Sequence, residues 1–239
     1  MRSKLLLIAT AAVLAACTGY DDPSGVGTST GAGRVRLVNA SPDTVDVGTI
    51  NAWFNNQPSE PLTANLGYGL ATEYRARSTG GQDLNVRRFV DTSLVVFDVT
   101  VDVAADADYT VLATGLTPNV AALVLRDDNA APAAGAAKLR VVHAAPSGGI
   151  VDVYVTAANV SDITGREPTA AGATYKNASA YLAVAPGDQR VRLTGGGTKT
   201  VILDFTVGLA AGQVRSLIVL DRPGGGDPLR GSLLVDRNP

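Results

Sequence analysis

The feature that most limits how this chain can fold is an internal repeat. Arg34-Val35-Arg36-Leu37-Val38-Asn39-Ala40-Ser41-Pro42 aligns with Lys138-Leu139-Arg140-Val141-Val142-His143-Ala144-Ala145-Pro146 at an offset of 104 residues. The register continues: Ile50-Asn51-Ala52-Trp53-Phe54 faces Val151-Asp152-Val153-Tyr154-Val155, and Tyr74 faces Tyr181. Phe97 to Val101 then faces Leu203 to Val207, and Asp127-Asp128-Asn129 faces Asp236-Arg237-Asn238. The offset drifts through 101, 107, 106 and 109, so the insertions fall between matched segments, where loops lie. Two copies of one domain are predicted, over 34–129 and 138–239, joined by a small-residue linker over 130–137.

The matched segments have the period of strands. Val95, Phe97, Val99, Val101 and Val103 share one face, with Asp98, Thr100 and Asp102 on the other, and Val201, Leu203, Phe205, Val207 and Leu209 repeat the pattern. Strict alternation marks a sheet with one wet face. Turn signals such as Ser41-Pro42-Asp43, Thr79-Gly80-Gly81 and Ala185-Pro186-Gly187-Asp188 separate the runs. No segment after the leader carries a helical stripe of ten or more residues. The predicted fold is all-β: two tandem immunoglobulin-like antiparallel β-sandwich domains.

The first residues read as a leader. Met1-Arg2-Ser3-Lys4 is basic, and Leu5 to Ala16 is apolar and ends in small side chains, the layout of a signal peptide over 1–16. A bilayer-spanning helix needs about 20 apolar residues, more than this stretch supplies. Leu14-Ala15-Ala16-Cys17 resembles the lipobox of bacterial lipoproteins. That resemblance implies cleavage between Ala16 and Cys17 and acylation, palmitate included, of Cys17. The membrane is then a partner through those acyl chains. Thr18, where an Asp would imply inner-membrane retention, implies the outer membrane, on its periplasmic or surface-exposed face. Residues 17–33 are rich in Gly, Ser and Thr and read as a tether. Its Gly27-Thr28-Ser29-Thr30-Gly31 matches a nucleophile-elbow pattern but lacks the flanking strand and helix that chemistry needs.

Composition closes several functions. One His and one Cys cannot build a Cys/His zinc site, an iron–sulfur cluster or an intramolecular disulfide. Twenty Lys+Arg against 22 Asp+Glu is too balanced for a nucleic-acid binder, so no nucleic-acid partner and no cofactor are expected. His143 is the one candidate general base, but Asn39 stands at its place in the first repeat, which points to a turn-bonding role for both. Gly195 to Thr200 lacks the Gly-Lys pair of a phosphate loop and reads as a hairpin. Asp102, Asp106 and Asp108, and separately Asp127 and Asp128, offer oxygen atoms to calcium without matching an EF-hand loop. Exposed rings on a sheet face stack on sugars or peptides, which puts Trp53 and Tyr154 beside Asn39 and His143 as candidate binding residues.

The repeated opening, Leu139 to Pro146 followed by Ile150 to Val155, resembles the bacterial extracytoplasmic family known as domain of unknown function 4397, as does Tyr181 to Gly187. In the first copy Asn39 stands where that family usually has His, with extra residues between Pro42 and Ile50. The resemblance implies an extracytoplasmic β domain and carries no catalytic assignment. The expectation is a lipid-anchored, non-enzymatic binding or scaffolding module of the cell envelope, with an envelope protein or a glycan as ligand. Two alternatives are a calcium-dependent surface adhesion module and a hydrolase using His143.

Overall fold

A computed structural model describes residues 31–239, so Ala16, Cys17 and most of the tether lie outside the described residues. Among the described residues the chain is all-β, without a helix. The first half contributes β1 (Ala32–Ala40), β2 (Ile50–Phe54), β3 (Pro61–Leu66), β4 (Arg75–Ser78), β5 (Gly80–Arg88), β6 (Val95–Val103), β7 (Asp108–Thr114) and β8 (Ala121–Asp127). The second contributes β9 (Ala137–His143), β10 (Val151–Ala157), β11 (Ala170–Ala173), β12 (Asn177–Ala178), β13 (Leu182–Val184), β14 (Gly187–Gly195), β15 (Val201–Leu209), β16 (Val214–Leu220) and β17 (Arg230–Arg237).

Four sheets result, with strand orders β4-β1-β7-β8 and β3-β2-β5-β6 in the first half and β12-β9-β16-β17 and β11-β10-β14-β15 in the second; β13 also pairs with β9. They stack as four layers. Val35, Leu37, Val111 and Ala113 of the first inner sheet pack on Ile50, Leu84, Val86 and Phe97 of its outer sheet. Leu139, Val141, Leu217 and Val219 pack on Val153, Val191, Leu193 and Leu203 in the same way. The two inner sheets then pack on each other through Val38, Ala40 and Leu112 against Val142, Ala144, Ile218 and Leu220.

The layering corrects two sequence expectations. Alternation holds for the outer strands, where β6 and β15 share one burial pattern. Every residue of β7 and β16 is buried, because odd positions face one partner sheet and even positions face the other half. The sandwiches are not wholly antiparallel either. β1 pairs parallel with β7, and β9 with β16. Each opening strand and its neighbour are separated by crossings through the outer sheet, so both strands enter the inner sheet from the same end.

Between the inner sheets lies a reciprocal exchange of ion pairs. Arg36 of β1 reaches across to Asp236 of β17, and Arg140 of β9 reaches across to Asp127 of β8 at 2.7 Å. All four side chains are at most 3% exposed. Each guanidinium also bonds within its own half: Arg36 Nε to Thr110 Oγ1 at 2.8 Å and Arg140 Nε to Ser216 Oγ at 3.0 Å. The second oxygen of each carboxylate accepts two hydroxyls. Asp127 takes Thr110 at 2.5 Å and Tyr74 at 2.6 Å, and Asp236 takes Ser216 at 2.6 Å and Tyr181 at 3.1 Å. Tyr74 and Tyr181 also lie 4.4 and 4.6 Å from the guanidinium carbons of Arg36 and Arg140. Burial, reinforced by the neighbouring carboxylates, pushes both phenols well above their ordinary pKa, so they remain donors.

The interface also sets direction. Thr114 Oγ1 donates to Ala144 O at 2.9 Å, Tyr68 OH to Asp221 O at 2.7 Å and Gly224 N to Pro42 O at 2.7 Å. The far ends of β1, β7, β9 and β16 therefore share one end of the molecule, the crown. The start of β1 is tied to the β6–β7 turn by Arg34 N to Ala107 O, and the linker to the β15–β16 turn by Gly212 N to Ala136 O, both 2.8 Å. These segments share the opposite end, the base.

Removing one partner of a buried pair strands the other charge. Asp236→Ala is expected to cost about 3–5 kcal/mol in urea unfolding, and replacing Arg36 and Asp236 together by Met and Leu to recover about half of that or more. A loss below about 1 kcal/mol in the single variant would contradict the assigned role.

Candidate functional site: the outer face of the first half

Three of the four candidate binding residues are buried. Asn39 is fully buried; its amide nitrogen donates to Gly48 O and Leu66 O, both at 3.0 Å, and its oxygen accepts Ser41 N at 3.3 Å. His143 occupies the same place in the second half. Its Nε2 lies 3.0 Å from Gly149 O, and Ala145 N donates to Nδ1 at 3.4 Å. A carbonyl only accepts and an amide only donates, so the neutral Nε2–H tautomer fits both bonds. Burial pushes the imidazole pKa below its usual value, against smaller opposing effects of Gly149 and Asp221. With both ring nitrogens bonded to the backbone, His143 is bound up in its turn like Asn39, and the general-base reading loses its free nitrogen.

Tyr154 is a correction of a different kind. It is 2% exposed, its hydroxyl accepts Lys199 Nζ at 2.8 Å, and the ammonium lies 4.6 Å from the ring centroid. The connection over 158–169 covers it, with Ile163 buried at 4%. Arg192, opposite Tyr154 in β14, donates to Ser161 O at 3.1 Å and Val160 O at 3.0 Å, and Lys199 also donates to Arg166 O. The second half thus closes its own outer face with a strap of its own chain.

Trp53 remains accessible. The pairing Tyr154–Arg192–Asp204 across β10, β14 and β15 recurs as Trp53–Asn85–Asp98 across β2, β5 and β6. Here only residues 55–60 join β2 to β3, in place of 158–169, and no strap is formed. Asn85 replaces Arg192, and the shorter side chain leaves a hollow of about 330 Å³ bounded by Asn56, Asp83, Asn85, Asp98, Val99 and Thr100. Its floor and walls are already fixed. Asn85 accepts Asn56 N at 2.9 Å and donates to Asp98 at 3.0 Å, Thr100 donates to Asp83 at 2.7 Å, and Arg87 clamps Asp98 at 2.5 Å. The Arg87 guanidinium flanks the half-buried Trp53 ring at 5.7 Å from its centroid. The Trp53 indole N–H has no protein acceptor among the described residues. Sequence reading singled out Trp53 but missed the hollow, because Asn85 and Asp83 look like ordinary wet-face positions.

The crown carries a second surface. A cleft of about 370 Å³ opens between Val47, Leu94, Val95, Val120, Arg88 and Thr117, with Val45 and Val90 projecting beside it at 74% and 71% exposure. Asp43 braces its rim, accepting Asp46 N at 2.8 Å, Thr117 N at 3.1 Å and Val45 N at 3.2 Å. Burial alone would raise its pKa, but hydrogen bonds from Thr117, Asp46 and Val45 outweigh that and hold it at about 2. Three of the five carboxylates considered for calcium are engaged elsewhere: Asp108 with Arg34 and Asn129, Asp127 with Arg140, and Asp128 with Lys138. Among the described residues no three His, Cys, Asp or Glu side chains are grouped to hold a metal ion.

Two outcomes follow for these turns. His143→Asn, which installs the residue of the first half, is expected to cost about 1 kcal/mol or less in thermal unfolding, whereas His143→Leu leaves buried backbone groups unpaired and costs about 1–3 kcal/mol. The folded pKa of Asp43 lies below its ordinary value, so its stabilisation of about 2 kcal/mol is present above pH 4 and is lost as pH falls toward 2. The wild-type minus Asp43→Asn stability difference should therefore shrink as pH falls from about 4 toward 2; a difference independent of pH would contradict it.

No curated protein matches the chain. Among solved structures, a family 26 carbohydrate-binding module from Eubacterium rectale Amy13K covers 87% of this chain and 98% of its own at 13% identity and a TM-score of 0.29. An α-glucan-binding streptococcal virulence factor covers 78% and 92% at 11% identity and a TM-score of 0.27. At these scores neither likeness assigns a fold or a ligand. Residues 33–154 match the family described as Domain of unknown function (DUF4397), a span that takes in the whole first half and continues through β9 into β10. That span is half of the sequence, and on it the chain belongs to the DUF4397 family.

Proposed function

We propose that the protein is a non-enzymatic binding module of the cell envelope, held by acyl chains on Cys17, that recognises its ligand on the outer face of the first half. The observation that carries the reading is the contrast between two equivalent faces: one is closed by its own strap over Tyr154 and Arg192, the other is open over Trp53 and Asn85. A duplicated chain that closes one copy and leaves a pre-bonded hollow on the other has a surface set up for a partner, either an envelope protein or a glycan. Base and crown support the anchoring. The described chain begins at the base, so a lipid upstream of Gly31 leaves the outer faces and the crown clear of the bilayer. The outer membrane is the compartment this reading favours.

The anchor is tested by feeding cells labelled palmitate and fractionating wild type and Cys17→Ala. The expected result is a labelled wild type in the membrane fraction and an unlabelled variant that leaves it. An unlabelled wild type whose distribution matches the variant would overturn the anchoring.

A further inference from the structure

We infer that the hollow beside Trp53 is a carbohydrate site that takes a neutral pyranose unit, its apolar face against the indole and its hydroxyls on Asp83, Asp98 and Asn56. The inference rests on the binding-module reading above, though not on the lipid. Three observations carry it. First, the hollow is lined by short amides, carboxylates and a hydroxyl, with Val99 the one apolar member and no lysine, and Trp53 stands one strand away as the cross-strand partner of Asn85. Sugars present this combination of C–H faces and closely spaced hydroxyls, each of which both donates and accepts.

Second, the polar groups are held before a ligand arrives. Thr100 uses one oxygen of Asp83, Asn85 and Arg87 orient Asp98, and Asn56 is fixed through its backbone at a φ of 55°. The remaining lone pairs and the indole N–H are left to a ligand, and little side-chain entropy is lost when it binds.

Third, the second half shows what a peptide needs at this position, and the first half lacks it. The strap over 158–169 is held because Arg192 donates to two of its carbonyls. Asn85 uses its amide on Asp98 and its oxygen on Asn56, so no equivalent donor pair is offered to a polypeptide. Sheets that recognise extended peptides do so through main-chain groups at an edge. This hollow lies on the face of the sheet, over β5, whose main chain is paired on both sides, and the edge strand β6, so what it offers a ligand is side chains.

Trp53 is the sole tryptophan, so its emission reports on this site alone. The experiment titrates the purified full chain with cellohexaose, xylohexaose, chitohexaose and maltohexaose, following tryptophan fluorescence and heat. At least one is expected to shift the emission and to saturate. Asp83→Ala, at an exposed position, and Trp53→Ala should each weaken it about tenfold by calorimetry with an unchanged circular dichroism spectrum. Asn85→Arg, which installs the residue of the closed half, should abolish it. The inference is overturned if no hexasaccharide perturbs Trp53 at about 10 mM. It is also overturned if a synthetic peptide of residues 158–169 binds there and the sugars do not; that outcome leaves the binding-module reading standing with a peptide ligand. Sugar binding that survives in Cys17→Ala separates this site from the anchor.

Discussion

The exchange of Arg36 to Asp236 and Arg140 to Asp127 fixes how everything else is arranged. A guanidinium and a carboxylate withdrawn from water are costly unless every lone pair and N–H is used. Here the partners come from both halves at once: each arginine takes a hydroxyl at home and a carboxylate across the interface, and each aspartate takes two hydroxyls at home and a guanidinium from across. Sliding one inner sheet against the other would break both cross-interface ion pairs at once. Apolar contacts such as Leu112 against Ile218 are tolerant of sliding, whereas this polar set specifies register. Its two-fold character is what an isologous interface between two copies of one domain looks like after the copies are joined in one chain.

From that register follow the base, the crown and the exposure of the two outer sheets on opposite sides. The central strands of the inner sheets, β7 and β16, are buried on both faces and have no surface with which to recognise anything. Recognition is left to the outer faces, the crown loops and the exposed edges of the inner sheets. Between the outer faces the chain has broken its own symmetry, using Arg192 and a strap on one side and Asn85 with a short turn on the other. The molecule therefore has duplicated stability but a single open copy of this surface.

Much of this was legible in the sequence. The repeat placed matching segments in both halves, and the alternation in Val95 to Val103 and Val201 to Leu209 marked strands with one wet face, as β6 and β15 are. Even the strap left a trace: the offset rises from 101 at Trp53 and Tyr154 to 107 at Tyr74 and Tyr181, and those six extra residues are the difference between 158–169 and 55–60. What could not be read was the second burial of the inner sheets. Arg36 and Arg140 occupy alternate positions that look like a wet face, and only the partner half shows that the face is dry. Asn39, His143 and Tyr154 were hidden for a related reason, since a polar or amphipathic residue has the same letter whether it binds a ligand or its own turn. Cys17 carries the clearest single motif and lies outside the described residues.

The account stands on the two halves behaving as one body, and differential scanning calorimetry tests that most directly. It predicts one cooperative transition for the chain, with the calorimetric enthalpy equal to the van't Hoff enthalpy, because neither half can lose its inner sheet without stranding a buried charge of the other. Two separated transitions, or a van't Hoff enthalpy near half the calorimetric value, would mean that the halves unfold independently and that the exchanged pairs do not hold them together.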